Sequence, residues 1–429
     1  MLYGFIPSNE ELRPMEDTPP VLKGKPLLVI LSIVFLDLVG VGILIPIVPI
    51  LLAGPHSPYY VLPAGYTIQQ GYIILGWLVA IYSIFQFLAA PILGQLSDKY
   101  GRRKVLGVSL GGTSISYIIF AIGIITKNIP LLFLARAFDG ITGGNIPVAQ
   151  AVVTDITPVK ERAKNFGLIG AAFGLGFIIG PYIGGKLSDP SIVSWFNAAT
   201  PFWFAALLAA VNIVLIITLL PETLARTQKE VRIRWAQSLI DVVHAYTYRG
   251  FRTLFTTAFL FQGGFTFYTT FIGVYFINKF NFTSGNIGDF LAYVGLWIVI
   301  SQGLILRKLT RFADYKILRV TLITTGVLIL AFFLPTVWWG LLFVVPFFGI
   351  PNGLSQAFLP TIISKSAEQS RQGEILGINA SVAALAQSIP PILAGYLAAQ
   401  IVATAPIYVA SLFIVLSGVV FWLFYKRTH

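Results

Sequence analysis

Asp37 sits deep inside an apolar run, Phe35-Leu-Asp-Leu-Val-Gly-Val-Gly-Ile-Leu-Ile-Pro-Ile-Val-Pro49. A carboxylate at mid-membrane costs on the order of 3 kcal/mol on insertion scales, so it is expected to face a cavity rather than lipid. A carboxyl group that water visits there is a candidate proton carrier or cation partner. A buried, hydrogen-bonded or salt-bridged aspartate is the plainer reading. A second charged constellation is Leu132-x3-Arg136-x2-Asp139-Gly140. Residues three apart share a helix face, so Arg136 and Asp139 can neutralise each other. The pair is either structural or tunes the protonation of Asp37, if the two helices are neighbours.

Residues 94–104 read Gly-Gln-Leu-Ser-Asp-Lys-Tyr-Gly-Arg-Arg-Lys, between two apolar runs each long enough to cross a bilayer. Its charged groups must sit in water or among headgroups, so the chain surfaces here and dives again. Gly94 and Ser97 are small enough for close approach of a neighbouring helix. Gly101 can take the positive φ that ends a helix. Asp98 then lies at a helix end, able to pair with Arg102 or to face the positive N-terminus of another helix. A plain cationic anchor explains Arg102 and Arg103 but not the Gly, Asp, Gly spacing. Asp155, with Glu161 and Arg162 beyond it, ends a later apolar run on the same side and can join Asp98 and Arg102.

Gly167, Gly176, Gly180, Pro181, Gly184 and Gly185 form G-x8-G-x3-G-P-x2-G-G. The glycines remove bulk, and Pro181 frees a carbonyl and bends the helix. Ordinary small-residue packing is the plainer reading. Aromatic residues with sparse polar groups (Gln262, Phe265, Tyr268; Asn352 and Gln356) suit a large amphipathic ligand, although packing and lipid contact are commoner roles for such rings. Gln86, Asn145, Asn379 and Gln387 are further intramembrane amides, for which a helix–helix hydrogen bond is the commoner role and a ligand contact the other.

These residues need helices long enough to hold them in a membrane. The chain of 429 residues is 56% hydrophobic and 11% charged, against about 25% charged in a soluble domain. The long apolar runs define an all-α polytopic membrane protein. Twelve spans are expected: 27–53, 72–97, 105–125, 131–154, 165–187, 199–220, 252–277, 287–306, 317–335, 338–363, 373–400 and 404–425. A bilayer takes about 20 helical residues, so the nearly unbroken stretch 317–363 divides near Pro335, and 373–425 near Thr404 and Pro406.

Of 29 Lys and Arg, 25 fall in the first tail, the even-to-odd loops and the C-terminus, and only Lys127, Lys186 and Lys279 fall opposite. This puts both termini in the cytoplasm. The net charge of +12 thus orients the chain against an anionic leaflet, and nucleic-acid binding is not expected. The expected organisation is a tail (1–26), a six-helix bundle (27–220), a linker (221–250) whose Trp235, Leu239, Ile240 and Val243 mark an interfacial helix, a second bundle (251–425) and a C-terminus (426–429). The acidic, proline-containing tail does not read as a cleavable signal. At an offset of 210, Gly143 meets Gly353, Thr154 meets Ser364, Gly167 meets Gly377, Pro181 meets Pro391 and Gly185 meets Gly395. A parallel repeat of two pseudo-symmetric halves creates a cleft between them, a common transporter architecture.

The chain has no Cys and three scattered His, so thiolate chemistry is excluded and no metal site is expected. No Walker A, Gly-x-Ser-x-Gly or His-Glu-x-x-His motif occurs. Neither enzyme activity nor a cofactor is expected.

Together these motifs resemble the major facilitator superfamily, and within it the twelve-span drug:proton antiporter branch that includes the tetracycline efflux proteins. Residues 94–104 resemble the superfamily signature between spans 2 and 3. The span 5 pattern resembles the antiporter signature, and the Asp37 and Leu132–Gly140 segments resemble the branch's span 1 and span 4 signatures. Asp139 stands where the branch commonly has an amide. The second half departs: the counterpart of the strip near Arg307–Leu318 has lost its glycine, and Pro390-Pro391 replaces Gly-Pro. The resemblance implies a cavity lined by spans 1, 4, 7 and 10, and alternating access by rocking of two halves. The expected function is multidrug efflux: export of small hydrophobic or amphipathic compounds in exchange for protons, by a functional monomer in the cell membrane. Transport of a sugar, metabolite or lipid-linked glycan is the alternative. A non-transporting sensor would need an output domain larger than the tail or linker.

Overall fold

The computed structural model describes residues 25–224, 233–247, 250–309, 313–368 and 372–425. Most of the expected tail, part of the linker and the C-terminal residues 426–429 lie outside them. In lipid, backbone polar groups must be paired within the chain. Among the described residues helices do this, and no strand occurs. The helices are α1 (Lys25–Leu44), α2 (Ile47–Ala53), α3 (Ile68–Tyr100), α4 (Arg102–Ile125), α5 (Ile129–Thr142), α6 (Ile146–Ile156), α7 (Val159–Leu187) and α8 (Thr200–Leu219). There follow α9 (Gln237–Thr247), α10 (Arg252–Phe280), α11 (Ser284–Ile300), α12 (Leu306–Leu309), α13 (Asp314–Leu330), α14 (Leu341–Ser366), α15 (Gln372–Gln400) and α16 (Ala405–Phe424).

Eleven helical stretches among the described residues are long and apolar enough to cross a membrane. The expected span 131–154 is not one of them, because it is broken into α5 and α6. Gly143 and Gly144 favour helix poorly, and Pro147 lacks the N–H that a helix interior needs, so it stands in the first turn of α6. The break also brings the chain against α3, where a Cβ on Gly144 would stand 2.9 Å from Ala90 Cα. Span 1 is likewise interrupted, at Ile45–Pro46 between α1 and α2. Span 8 passes through a π-helical turn at Ser301–Ile305. The expected turns do occur: Pro335 lies between α13 and α14, and Thr404 caps α16 with Pro406 in its first turn.

Helices α1–α8 and α10–α16 close on each other at the end opposite the 94–104 strip. Gly76 of α3 meets Gly395 of α15, where a Cβ would come within 3.2 Å. Pro49 of α2 packs on Gly273 of α10. Lys186 Nζ reaches Asp289 Oδ2 at 2.8 Å, Ser188 donates to Ser284 at 2.7 Å, and Asn278 Nδ2 donates to Tyr72 Oη at 3.3 Å. Toward the strip end the bridging element is α9. Its Ser238 hydroxyl donates to the Phe87 carbonyl of α3, and its Asp241 accepts from Ser381 of α15 at 3.2 Å. Leu239, Ile240 and Val243 of α9 are exposed, while Trp235 precedes the helix rather than joining it.

Candidate functional site

Asp37, on α1, is half-buried and forms no ion pair among the described residues. Asn145, in the break between α5 and α6, approaches it, yet the Asn145 Nδ2 has no hydrogen-bond partner among the described residues. Asp139 of α5, Tyr82 of α3 and Tyr117 of α4 lie within electrostatic reach. Arg136 Nη1 contacts Asp139 Oδ2 at 2.9 Å, and both residues are buried. The Arg136 guanidinium lies 4.1 Å from the Tyr82 ring centroid. Tyr82 Oη in turn accepts from Gln86 Nε2 at 2.9 Å. A buried cation held by a carboxylate and an aromatic face is largely neutralised. The cluster therefore places a compensated pair beside an uncompensated carboxyl group, joined by two tyrosines with hydroxyls in the apolar interior.

At the strip, Arg102 joins two carboxylates. Its Nη1 contacts Asp98 at 2.6 Å and its Nε contacts Asp155 Oδ2 at 3.2 Å. The Arg102 guanidinium also donates to Ser97 at 2.5 Å, and Ser97 donates to the Gly94 carbonyl at 2.7 Å. Gly101 takes φ 99° and separates α3 from α4. Arg103 donates to the Ile217 carbonyl near the end of α8. Of the two partners open to Asp98, the structure selects Arg102. Gly94 does not serve a close helix approach, since a Cβ there would meet nothing within 4 Å. The Arg162 side chain and the surroundings of Gly167 lie outside what is described.

The remaining glycines of the span 5 pattern divide between two faces of α7. A Cβ on Gly176 would stand 2.6 Å from the Leu38 side chain. One on Gly180 would stand 2.7 Å from the Val39 carbonyl oxygen, and one on Gly184 would meet Ile43 of the same helix, α1. Pro181 packs on Gly42, also of α1. Gly185 faces the other way, where a Cβ would stand 2.7 Å from the Ser284 carbonyl oxygen. One helix thus seats α1, which carries Asp37, and also closes against α11.

Tyr268 takes one of the commoner roles of such rings, packing. Tyr268 and Asn352 do not line open space in this conformation, as both are buried. Tyr268 packs in a ring cluster with Phe265, Phe332 and Phe348, at centroid separations of 6.1, 5.7 and 5.1 Å. The physical reason is that span 7 rings meet Phe332, just after α13, and Phe348 of α14, and together fill the interior. The Tyr268 hydroxyl and both amide atoms of Asn352 lack hydrogen-bond partners among the described residues. Gln262, Phe265, Gln356 and Asn379 remain half-buried. A cavity of about 490 Å³ opens at the end opposite the strip, between Pro55–Tyr59, Ser188–Pro190 and Asn281–Ser284, and no candidate lines it.

Sequence reasoning missed Tyr82 and Tyr117, which read as ordinary aromatic residues of apolar spans, whereas Gln86, expected to make a helix–helix hydrogen bond, donates to the Gly143 carbonyl at 3.3 Å. It also missed Glu222, which accepts from the backbone nitrogens of Arg102 and Arg103 at 2.8 and 3.2 Å. The only signal in the sequence was an acid directly after the end of span 6.

A bundle of long apolar helices with a buried charged cluster and polar ties between its two helix groups is the build of a membrane transporter. A profile of the Major Facilitator Superfamily matches residues 30–391, and again 307–429. The chain belongs to this superfamily, and it is a multi-pass membrane transporter. It is 29% identical over 384 residues to the class H tetracycline resistance protein of Pasteurella multocida, covering 87% of this chain and 89% of the relative. It is 30% identical over 380 residues to the class C tetracycline resistance protein of Escherichia coli, covering 86% and 88%. It is 28% identical over 381 residues to multidrug resistance protein 2 of Bacillus subtilis (strain 168), again covering 86% and 88%. These relatives agree with the resemblance to the drug:proton antiporter branch. The crystal structure of the human organic anion transporter MFSD10 (TETRAN) shares the fold, with a TM-score of 0.69 at 23% identity, covering 94% of this chain and all of that one.

Proposed function

We propose that this transporter exports small hydrophobic or amphipathic compounds in exchange for protons, by alternating access. The observation that carries the reading is the charge arrangement around Asp37. Arg136 of span 4 is engaged by Asp139 at 2.9 Å, and Asp37 has no ion pair among the described residues, which leaves it to accept a proton or to face a cationic cargo. A proton moving inward across 100 mV releases about 2.3 kcal/mol, enough to drive a gradient of somewhat under a hundredfold. The names of the tetracycline and multidrug resistance relatives support the class of cargo.

In this reading α5 and α6 count as one crossing, which completes twelve spans in two six-helix halves with both termini cytoplasmic. The strip then lies on the cytoplasmic side. The closed contacts at the opposite end, Lys186–Asp289 among them, belong to an inward-open state. Asp98, Arg102 and Asp155, already joined within the first helix group, form the face of the cytoplasmic gate on which the second group docks when the carrier turns outward. Gln262, Phe265, Gln356 and Asn379 border the cargo path, and Asn145, Tyr268 and Asn352 come to it only after rearrangement.

The test is efflux from proteoliposomes with an imposed pH gradient, using a panel of lipophilic dyes, antibiotics, sugars and lipid-linked glycans. Asp37→Asn is expected to abolish the gradient-driven component while leaving insertion and folding intact. Unchanged pH-dependent transport by that variant rejects the coupling scheme. Selective transport of a sugar or glycan redirects the choice of cargo without touching the scheme.

A further inference from the structure

We propose that Glu222 is a positioning residue of the gate. From beyond the end of α8, its carboxylate holds the first turn of α4 in the register that lets Arg102 reach both Asp98 and Asp155. The inference rests on the gate reading of that cluster given above.

The first backbone N–H groups of any α-helix have no partner within it. In α4 the capping position is Gly101, which has no side chain to offer. Asp98, the nearest acid in the chain, is engaged by the Arg102 guanidinium instead. Glu222, 120 residues away, fills the gap. One carboxylate oxygen accepts from Arg102 N at 2.8 Å and the other from Arg103 N at 3.2 Å. An anion at a helix N-terminus gains from the macrodipole and from charge-assisted hydrogen bonds. The carboxylate is itself oriented by Thr223 N and Leu224 N, at 3.1 and 3.2 Å.

The same junction is tied twice more. Arg103 donates to the Ile217 carbonyl of α8, so each helix end is capped by a residue from the other side. Thr223 Oγ1 donates to Asp155 Oδ2 at 3.2 Å, the oxygen that Arg102 Nε also contacts. Gly101 makes room for all of this, because a Cβ there would stand 2.9 Å from Glu222 Cδ. Arg102 therefore carries both ends of the device. Its backbone nitrogen is held by Glu222, and its guanidinium spans the two gate carboxylates. A displacement of the first is transmitted to the second through one side chain.

The chain contains no cysteine, so paired labels can be placed without a background. Lys104→Cys and Ser366→Cys lie at exposed positions at the strip ends of α4 and α14. In nanodiscs, spin-label distances between them report how open that end is. Hydrogen exchange at the Arg102 and Arg103 amides reports the cap. Glu222→Ala is expected to speed exchange at both amides by about tenfold, the loss of a typical cap, and to move the open-to-closed ratio toward open by a similar factor. Glu222→Asp, which keeps the carboxylate, is expected to recover part of both effects. Asp98→Asn serves as the control for the gate itself. Unchanged exchange in Glu222→Ala overturns the cap. Faster exchange with an unmoved distance distribution, while Asp98→Asn shifts it, overturns the positioning role and leaves the gate standing. If Asp98→Asn also leaves the distribution unmoved, the gate reading falls and takes the positioning role with it. Should Glu222→Ala not fold, Glu222→Gln replaces it. Its single carbonyl oxygen can satisfy one of the two amides, so exchange should rise at the other only, and protection of both overturns the proposal.

Discussion

Arg136 and Asp139 lie one helical turn apart on α5, both buried, with Nη1 to Oδ2 at 2.9 Å. Arg136, the one cation inside span 4, is therefore spoken for by its own helix. Breaking a buried pair from one side leaves an uncompensated charge, at a cost of about 3–5 kcal/mol. Asp139→Asn should accordingly lower the thermal midpoint sharply and release Arg136 toward Asp37, stopping proton-driven transport. Arg136→Gln combined with Asp139→Asn should regain much of the lost stability, because no lone charge remains. Thermal unfolding in detergent followed by tryptophan fluorescence checks this. A double variant no more stable than Asp139→Asn argues against a self-contained pair.

Tyr82 supplies the aromatic face under Arg136 at 4.1 Å and accepts from Gln86 at 2.9 Å. Tyr82→Phe keeps the ring and loses one hydrogen bond, a net change of about 0.5–1.5 kcal/mol. Tyr82→Leu also removes the cation–π contact, worth about 2 kcal/mol when desolvated. The two variants should differ in thermal stability by roughly that second amount. Equal losses would show that the ring face contributes nothing.

Gly101 combines φ 99° with contact to the Glu222 carboxylate. An alanine there must adopt a backbone conformation that is almost reserved for glycine, costing about 1–3 kcal/mol. Gly101→Ala should destabilise the protein by that order and speed amide exchange at the start of α4. Unfolding and exchange measured on the same sample test both halves of the expectation.

The two faces of α7 predict two separable phenotypes. Gly180→Ala places a methyl group against the Val39 carbonyl and Gly42, which should displace α1 and with it Asp37, lowering transport at every pH. Gly185→Ala instead wedges α7 away from Ser284 of α11, which should favour the state open at the end opposite the strip. Gly170→Ala meets nothing within 4 Å and should be neutral or slightly stabilising, since alanine favours helix by about 1 kcal/mol over glycine. Reagent access to a single introduced cysteine on each face distinguishes the three.

Much of this protein is written in short-range terms. Apolar run length, proline and glycine punctuation, and the bias of 25 Lys and Arg to one side are local or one-dimensional properties. Bilayer thickness and the cost of unpaired backbone convert them into helices, turns and an expected orientation. Arg136 meets Asp139 because three residues of helix bring side chains together whatever surrounds them, and Asp98 meets Arg102 across the short break at Gly101. The partners that came from distant segments were beyond such rules. Glu222 reaches Arg102 across 120 residues, and Tyr82 reaches Arg136 from another helix. Gly176 and Gly185 look alike in the pattern yet face opposite helices. Which face of a helix meets which neighbour is set by the packing of the whole bundle. Sequence alone determined that this chain is a bundle of membrane helices with charge inside it, and the tertiary structure decided which of those charges pair among the described residues, because only the packed bundle sets which helix faces meet.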